Sequence, residues 1–246
     1  MINLSVCLIV KNEEKHLGDC LESIKDACND LVIVDTGSTD RTIEIAKEYG
    51  ANIFHHKWQD SFSVARNISL SKAIGKWILW IDADERLDPE SIDELLSIVS
   101  RDEKAIYTCI IKSQYQLYDN LDVFPNYKLF SNGYGVKFQN RCHEQIYPSA
   151  RANGFEDKRS DIIIHHIGYK VDLTIIQQKS IRNLTLLLKE EKPTGKTYFE
   201  IAQAYGLLND LSSAKKYLLK VKACGKPNVP EYYWQESEKA LAQLLL

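Results

Sequence analysis

The first groups in this chain equipped for chemistry are two acids placed two residues apart directly after an apolar run. Asp82 and Asp84 lie in Asp82-Ala83-Asp84-Glu85, which follows Lys76-Trp77-Ile78-Leu79-Trp80-Ile81. On an extended chain, side chains at i and i+2 project to the same side, so the two carboxylates are expected to converge. Hard oxygen ligands of this kind suit Mg2+ or Mn2+, which bind through one or two carboxylates while the phosphate oxygens of a substrate complete the shell. An ion held there would act as a Lewis acid on a departing diphosphate. A D-x-D tripeptide also occurs in solvated turns that cap helices. Its place behind a buried run is what raises it above that reading.

Two further polar clusters, Lys11-Asn12-Glu13-Glu14 and Asp35-Thr36-Gly37-Ser38-Thr39-Asp40, follow apolar runs in the same way. In open parallel sheets, ligands bind beyond the carboxyl ends of the strands, and all three clusters fall at such ends. The elements that must position them alternate over the first hundred residues, the pattern of an α/β domain with a parallel sheet. Residues 5–10, 31–34 and 52–55 read as strands, and 76–81 as a central strand covered on both faces. Between them, Leu17, Cys20, Leu21, Ile24 and Cys28 recur at helical spacing, as do Ile43, Ala46 and Tyr49 before the stop signal Gly50. A short helix is expected around Ala65 to Ala73. Another starts at Asp88-Pro89-Glu90-Ser91, with Ile92, Leu95, Leu96 and Val99 as its stripe.

From Ala105 to His166 the pattern loosens into short β runs (106–111, 127–130, 161–166) whose order is open. Beyond Gly168 it is helical: Leu173, Ile176, Ile181, Leu184, Leu187 and Leu188, then a break at Lys192-Pro193-Thr194-Gly195, then further helices. The chain therefore divides into residues 1–170 and a small all-α region, 171–246. Its block Tyr198 to Asp210, followed by Ala214, Tyr217 and Leu218, resembles a single tetratricopeptide-like helix pair. One repeat is short of the three or so that bury a continuous core, so it must lean on the main domain, on a partner or on a copy of itself.

The 246 residues, 44% hydrophobic and 26% charged, suffice for one sizeable core without a staple. A net charge of -3 advertises neither nucleic acid nor an anionic membrane. The six cysteines are scattered without a CxxC pair and read as buried free thiols in a reducing compartment. No run approaches the roughly 20 apolar residues of a membrane span. The expected location is cytoplasmic, with peripheral membrane docking left open.

Together, Ser5-Val6-Cys7-Leu8-Ile9-Val10-Lys11-Asn12-Glu13-Glu14, Leu31 to Thr42, Ala65-Arg66-Asn67 and Trp80 to Glu85 resemble glycosyltransferase family 2 in order and spacing, over about residues 1 to 170. The helical tail resembles bacterial members that carry tetratricopeptide repeats. The resemblance implies a GT-A fold with a mostly parallel central sheet, a nucleotide-diphosphate sugar donor, usually a UDP-sugar, a divalent metal, and inversion by single displacement. It implies that Asp35 binds uracil, with Val10, Asn12 and Glu14 lining the base and ribose pocket. Arg66 would face the base or diphosphate. Asp82 would sit with Ala83 against the ribose and metal, and Asp84 would be the direct metal ligand. The base that takes the acceptor's proton would be Glu144 in Arg141-Cys142-His143-Glu144-Gln145, which resembles the His-Glu segment of the repeat-bearing members. Its plainer alternative is an ion pair with Arg141 or a surface carboxylate. His166, in His166-Ile167-Gly168-Tyr169, would add an imidazole to the metal, a shell more typical of Mn2+; His165 is its rival, since neighbours on a strand face opposite ways. Arg182-Asn183-Leu184 also fits the family pattern, with no role beyond packing. The acceptor, whether glycan, lipid or protein side chain, is not written in these motifs.

Other classes fit less well. A nucleotidyltransferase would want a Gly-rich, basic phosphate loop near the N-terminus, which residues 1–14 lack. A non-catalytic binding module using the helical tail sits poorly with intact Asp35, Arg66, Asp82 and Asp84. A Cys142/His143 nucleophile pair is poorly placed to share a proton. Zinc held by Cys142, His143, His165 and His166 lacks the usual ligand spacing.

Overall fold

The computed structural model describes residues 3–114, 121–167 and 173–244. Two compact units divide the chain, 1–171 and 172–246. The place assigned above to the boundary, with Gly168 and Tyr169, lies outside the described residues.

The first unit runs β1 (Leu4–Val10), α1 (Leu17–Ile24), β2 (Asp30–Asp35), α2 (Thr42–Glu48), β3 (Asn52–His55), α3 (Phe62–Lys72), β4 (Trp77–Trp80) and β5 (Glu85–Leu87). A 3-10 turn (Pro89–Ser91) leads into α4 (Ile92–Val99), followed by β6 (Ala105–Gln114), β7 (Leu121–Ser131), α5 (Tyr147–Ala152) and β8 (Glu156–Ile167). The strands form one sheet in the order β3-β2-β1-β4-β7-β6-β8-β5. Its first half, β3-β2-β1-β4, is wholly parallel. The second half is mixed: β7 runs antiparallel to β4 and β6, β5 antiparallel to β8, and β6 parallel to β8.

Alternation along β1 and β4 assigns the two faces. Leu4, Val6, Leu8 and Val10 share one cluster with Trp77, Leu79 and Ile81, beneath Leu17, Cys20, Leu21 and Ile24 of α1 and Leu95, Ile98 and Val99 of α4. Cys7, Ile78 and Trp80 enter the opposite cluster, with Leu70 of α3, Phe138, Ile146 and Ala150. A strand covered on both faces can be apolar throughout, and every residue of β4 is buried.

Several expectations need correction. The short helix starts three residues earlier, at Phe62, because the Ser61 side chain accepts a hydrogen bond from the Val64 N–H and caps it. In α4, Leu96 is exposed and Ile98 takes its place inside. Neither β5 nor α5 was expected, and the last strand begins at Glu156 rather than 161. Cys28 and Cys224 are only half-buried, whereas Cys7, Cys20, Cys109 and Cys142 are buried.

The second unit holds α6 (Leu173–Leu188), α7 (Gly195–Leu207), α8 (Leu211–Ala223) and α9 (Glu231–Gln243). Phe199 and Ala202 of α7 pack on Leu218 and Val221 of α8 and on Val229. Thr194 caps α7 reciprocally with Thr197: each side chain accepts the other's backbone N–H. In α6, Leu184 and Leu187 are buried, but Ile181 and Leu188, expected in the same stripe, are exposed. Arg182 donates to its neighbour Asn183. No helix among the described residues is long and apolar enough to cross a membrane.

Candidate functional site

The carboxyl ends of β1, β2 and β4 bring three loops to one edge of the sheet. Val10, the last residue of β1, pairs directly with Asp35, the last of β2, and accepts hydrogen bonds from the Thr36 N–H and hydroxyl. Asn12, in the left-handed region with φ 57°, accepts from the Thr39 N–H at 2.8 Å. Glu14 accepts from the Arg41 N–H at 3.1 Å, and its own N–H donates to Asp40. The two loops are therefore stitched together around Asp35. Its buried carboxylate accepts from the N–H groups of Gly37 and Ser38 and lies 3.1 Å from His55 Nδ1. Burial opposes the charge of Asp35, but bonds from Ser38, His55 and Gly37 outweigh it and hold the carboxyl below its ordinary value.

β1 lies between β2 and β4, so Asp35 and Asp82 stand two strand spacings apart along this edge, roughly 10 Å. Residues 82–85 do not continue the strand. They form a turn in which the Glu85 N–H donates to the Asp82 carbonyl and the Asp82 N–H donates to Glu85 Oε2. The turn sends the two acids to different partners. Asp82 Oδ1 accepts from Arg66 Nη2 at 2.7 Å, and Oδ2 lies 3.7 Å from Lys128 Nζ. Asp84 Oδ2 lies 3.3 Å from His166 Nε2. The convergence expected of an extended D-x-D is thus replaced by divergence, and Asp84 alone pairs with His166, whose protonated form it favours most, against burial and with lesser help from Glu85 and Asp82.

Antiparallel pairing of β5 with β8 separates the histidines: Glu85 faces His166, Arg86 faces His165. His165 Nε2 lies 2.7 Å from Asp88 instead. His166 Nδ1 is held 3.0 Å from Ser113 Oγ, which orients the ring. Among the described residues, no group of three or more His, Cys, Asp or Glu side chains is arranged to hold a metal ion. Asp84 and His166 nonetheless form a mixed oxygen and nitrogen pair, which fits a divalent ion whose remaining ligands come from a phosphorylated substrate.

Arg66, on α3, is buried. Its Nε donates to Glu144 Oε1 at 2.6 Å, and its guanidinium lies 4.3 Å from the Trp80 ring centre. Burial disfavours this cation, but Asp82 and Glu144 overcome that and raise its pKa. The same two charges matter in return: burial works against ionised Asp82, yet Arg66 and Lys128 hold its carboxyl well below the usual range. Glu144 is therefore neither a surface carboxylate nor placed by Arg141; Arg66 ties it to the acidic turn. Around it, Asn140 and His143 adopt positive φ of 71° and 52°, and Cys142 is buried while His143 is exposed.

Lys128 was not anticipated. It sits in β7 with 1% of its side chain exposed, 2.7 Å from Glu85 Oε2 and 3.5 Å from the Trp80 ring centre. A lone lysine inside the apolar run Tyr127-Lys128-Leu129-Phe130 was the available signal, because a buried ammonium demands a partner. A separate concavity of about 270 Å³, lined by Asn67, Leu70, Ile78, Phe130, Tyr134 and Val136 among others, contains no carboxylate.

Comparison with known proteins agrees with this fold. A TPR repeat-containing protein of Synechococcus elongatus is 37% identical over 182 residues, 70% of this chain and 44% of that protein. The chain spans about half the length of the curated relatives it matches. The crystal structure of S. aureus TarS 1-349 in complex with UDP-GlcNAc superposes with TM-score 0.57 at 15% identity, covering 100% of this chain and 81% of that one. The mannosyltransferase PcManGT from Pyrobaculum calidifontis, in complex with GDP-Man and Mn2+, gives 0.54 at 14% identity, covering 99% and 85%. These two share the GT-A fold that the sequence resemblance implied. The description "Glycosyl transferase family 2" matches residues 5–166, which include every residue of the two stitched loops, the acidic turn, Glu144 and His166. With that span and that arrangement of side chains, the chain belongs to glycosyl transferase family 2.

Proposed function

We propose that this chain transfers a sugar from a nucleotide-diphosphate donor, a UDP-sugar first among them, with inversion at the anomeric carbon and dependence on Mn2+ or Mg2+. The observation that carries the reading is the gathering of Asp35, Asp82, Asp84, His166, Arg66 and Glu144 at one edge of the sheet. Asp35 reads the base, in a pocket lined by Val10, Asn12 and Glu14. Asp82 and Ala83 lie along the ribose and diphosphate. Asp84 and His166 hold the ion, which when bound supplies Lewis-acid stabilisation to the leaving diphosphate.

Arg66 aims Glu144 by one carboxylate oxygen, and the other takes the proton of the acceptor nucleophile as that nucleophile forms its bond to the anomeric carbon. The bond from that carbon to the diphosphate oxygen breaks in the same step. The acceptor is a glycan, a lipid or a protein side chain. Residues 1–170 are the catalytic domain in this reading. The tetratricopeptide-like region, 171–246, meets a partner or a second copy of the chain. Complexes of structural neighbours with UDP-GlcNAc and with GDP-Man and Mn2+ support the donor class and the metal.

The test is a panel of UDP-, GDP- and TDP-sugars scored for binding and hydrolysis with and without Mn2+, repeated with Asp84→Ala. Metal-dependent UDP-sugar binding that the substitution abolishes is expected. A wild-type protein indifferent to every donor would overturn the proposal.

A further inference from the structure

We infer that Lys128, a buried lysine of β7 remote in sequence from every acidic motif, is the positioning residue that sets the Asp82–Glu85 turn for metal-assisted donor binding; this rests on the function proposed above. Three contacts define it. Lys128 Nζ donates to Glu85 Oε2 at 2.7 Å, lies 3.7 Å from Asp82 Oδ2, and sits 3.5 Å from the centre of the Trp80 ring. Both oxygens of Asp82 are thereby placed between cations, Arg66 on Oδ1 and Lys128 on Oδ2.

The contact with Glu85 matters most. Glu85 Oε2 accepts from two donors at once, the Lys128 ammonium and the Asp82 backbone N–H. The second of these bonds closes the turn, together with the Glu85 N–H that donates to the Asp82 carbonyl. Lys128 therefore fixes the carboxylate that fixes the turn, and Asp84 is carried between its two ends. Glu85 is 5% exposed. A carboxylate so buried cannot keep its charge and place without a paired cation. Without Lys128 the carboxylate loses its cation and must turn outward, which releases the Asp82 N–H and frees Asp84 from its position beside His166.

An aliphatic core residue would satisfy packing at position 128. The ammonium is buried, and among the described residues it meets groups of the acidic turn and the ring on which Arg66 also lies. Its place is explained by the turn, whose conformation it holds before any ligand arrives. Such pre-ordering is what separates tight from weak sites built from the same ligands.

The test measures UDP binding by calorimetry against Mn2+ concentration for wild type, Lys128→Met, Lys128→Arg and the double variant Glu85→Leu/Lys128→Met, with melting temperature for each. Lys128→Met is expected to raise the Mn2+ concentration for half-maximal UDP binding at least tenfold. Lys128→Arg should restore it to within about threefold. The double variant removes both buried charges and so guards against a misfolded single variant; it should melt near wild type yet keep the weakened Mn2+ response. If Lys128→Met or the folded double variant responds to Mn2+ as wild type does, the positioning role is overturned while the donor reading stands. If wild type itself binds UDP without regard to Mn2+, the metal dependence proposed above falls and takes this role with it.

Discussion

Arg66 is the residue on which the proposed reacting end of the site hangs, because it is the common partner of Asp82 and Glu144. Glu144 is held by it through one oxygen, so an amide of the same shape should fold and bind donor while losing the proton acceptor. Glu144→Gln is expected to lower turnover by about 10²- to 10⁴-fold and to leave Mn2+-dependent UDP affinity within a few fold, checked by donor hydrolysis alongside calorimetry. A comparable loss of affinity would instead make Glu144 a donor-binding group. Asp82, Asp84 and Asp35 were legible in the sequence because each follows an apolar run, and a strand end fixes where its next residue goes. Which acid each of His165 and His166 would meet was not, since alternation says only that they diverge; the register of β5 on β8 sets His166 beside Asp84 and His165 beside Asp88. Lys128 and Ser113 escaped for a related reason. Their partners lie 43 and 53 residues away, and no local pattern carries such a contact.

At the scale of elements, the parallel half of the sheet is set by β1 and β4, and these must approach closely where Gly75 precedes β4. A Cβ on Gly75 would stand 2.5 Å from the Ser5 backbone nitrogen and 2.8 Å from the Leu4 carbonyl carbon. Backbone cannot swing aside as a side chain can, so Gly75→Ala should cost about 1–3 kcal/mol, read as a lowered denaturant midpoint. An unchanged midpoint would mean that the loop relaxes freely. The Asn52–His55 strand was read correctly to the residue, and β1 and β2 nearly so; for β1 and β2 the reason is that buried β-branched runs flanked by polar turns admit few alternatives. In the mixed half the runs 106–111, 127–130 and 161–166 fall inside β6, β7 and β8, but their order and extent were illegible. Three-residue β5 and six-residue α5 are too short to show a period, and the antiparallel entry of β7 beside β4 depends on pairing rather than on composition.

On the scale of the molecule, all side chains gathered at the sheet edge belong to the first unit, whereas the helices of the second close their own core around Phe199, Leu218 and Val221. Thr194→Ala, which removes the reciprocal cap of α7, should destabilise that unit by about 0.5–2 kcal/mol. It should leave Mn2+-dependent UDP affinity unchanged; the pair of measurements is a melting curve and a calorimetric titration, and a matching loss in both would make the helices part of the donor site. The thiols offer one more consequence of this layout. Cys20, on α1, donates to the Asp82 carbonyl from beneath the acidic turn, and burial pushes its pKa far above that of a free thiol. A sulfur so placed is chemically silent while the turn is seated and becomes open to alkylation once the turn lifts away, which makes Cys20 a built-in reporter of how often that loop opens.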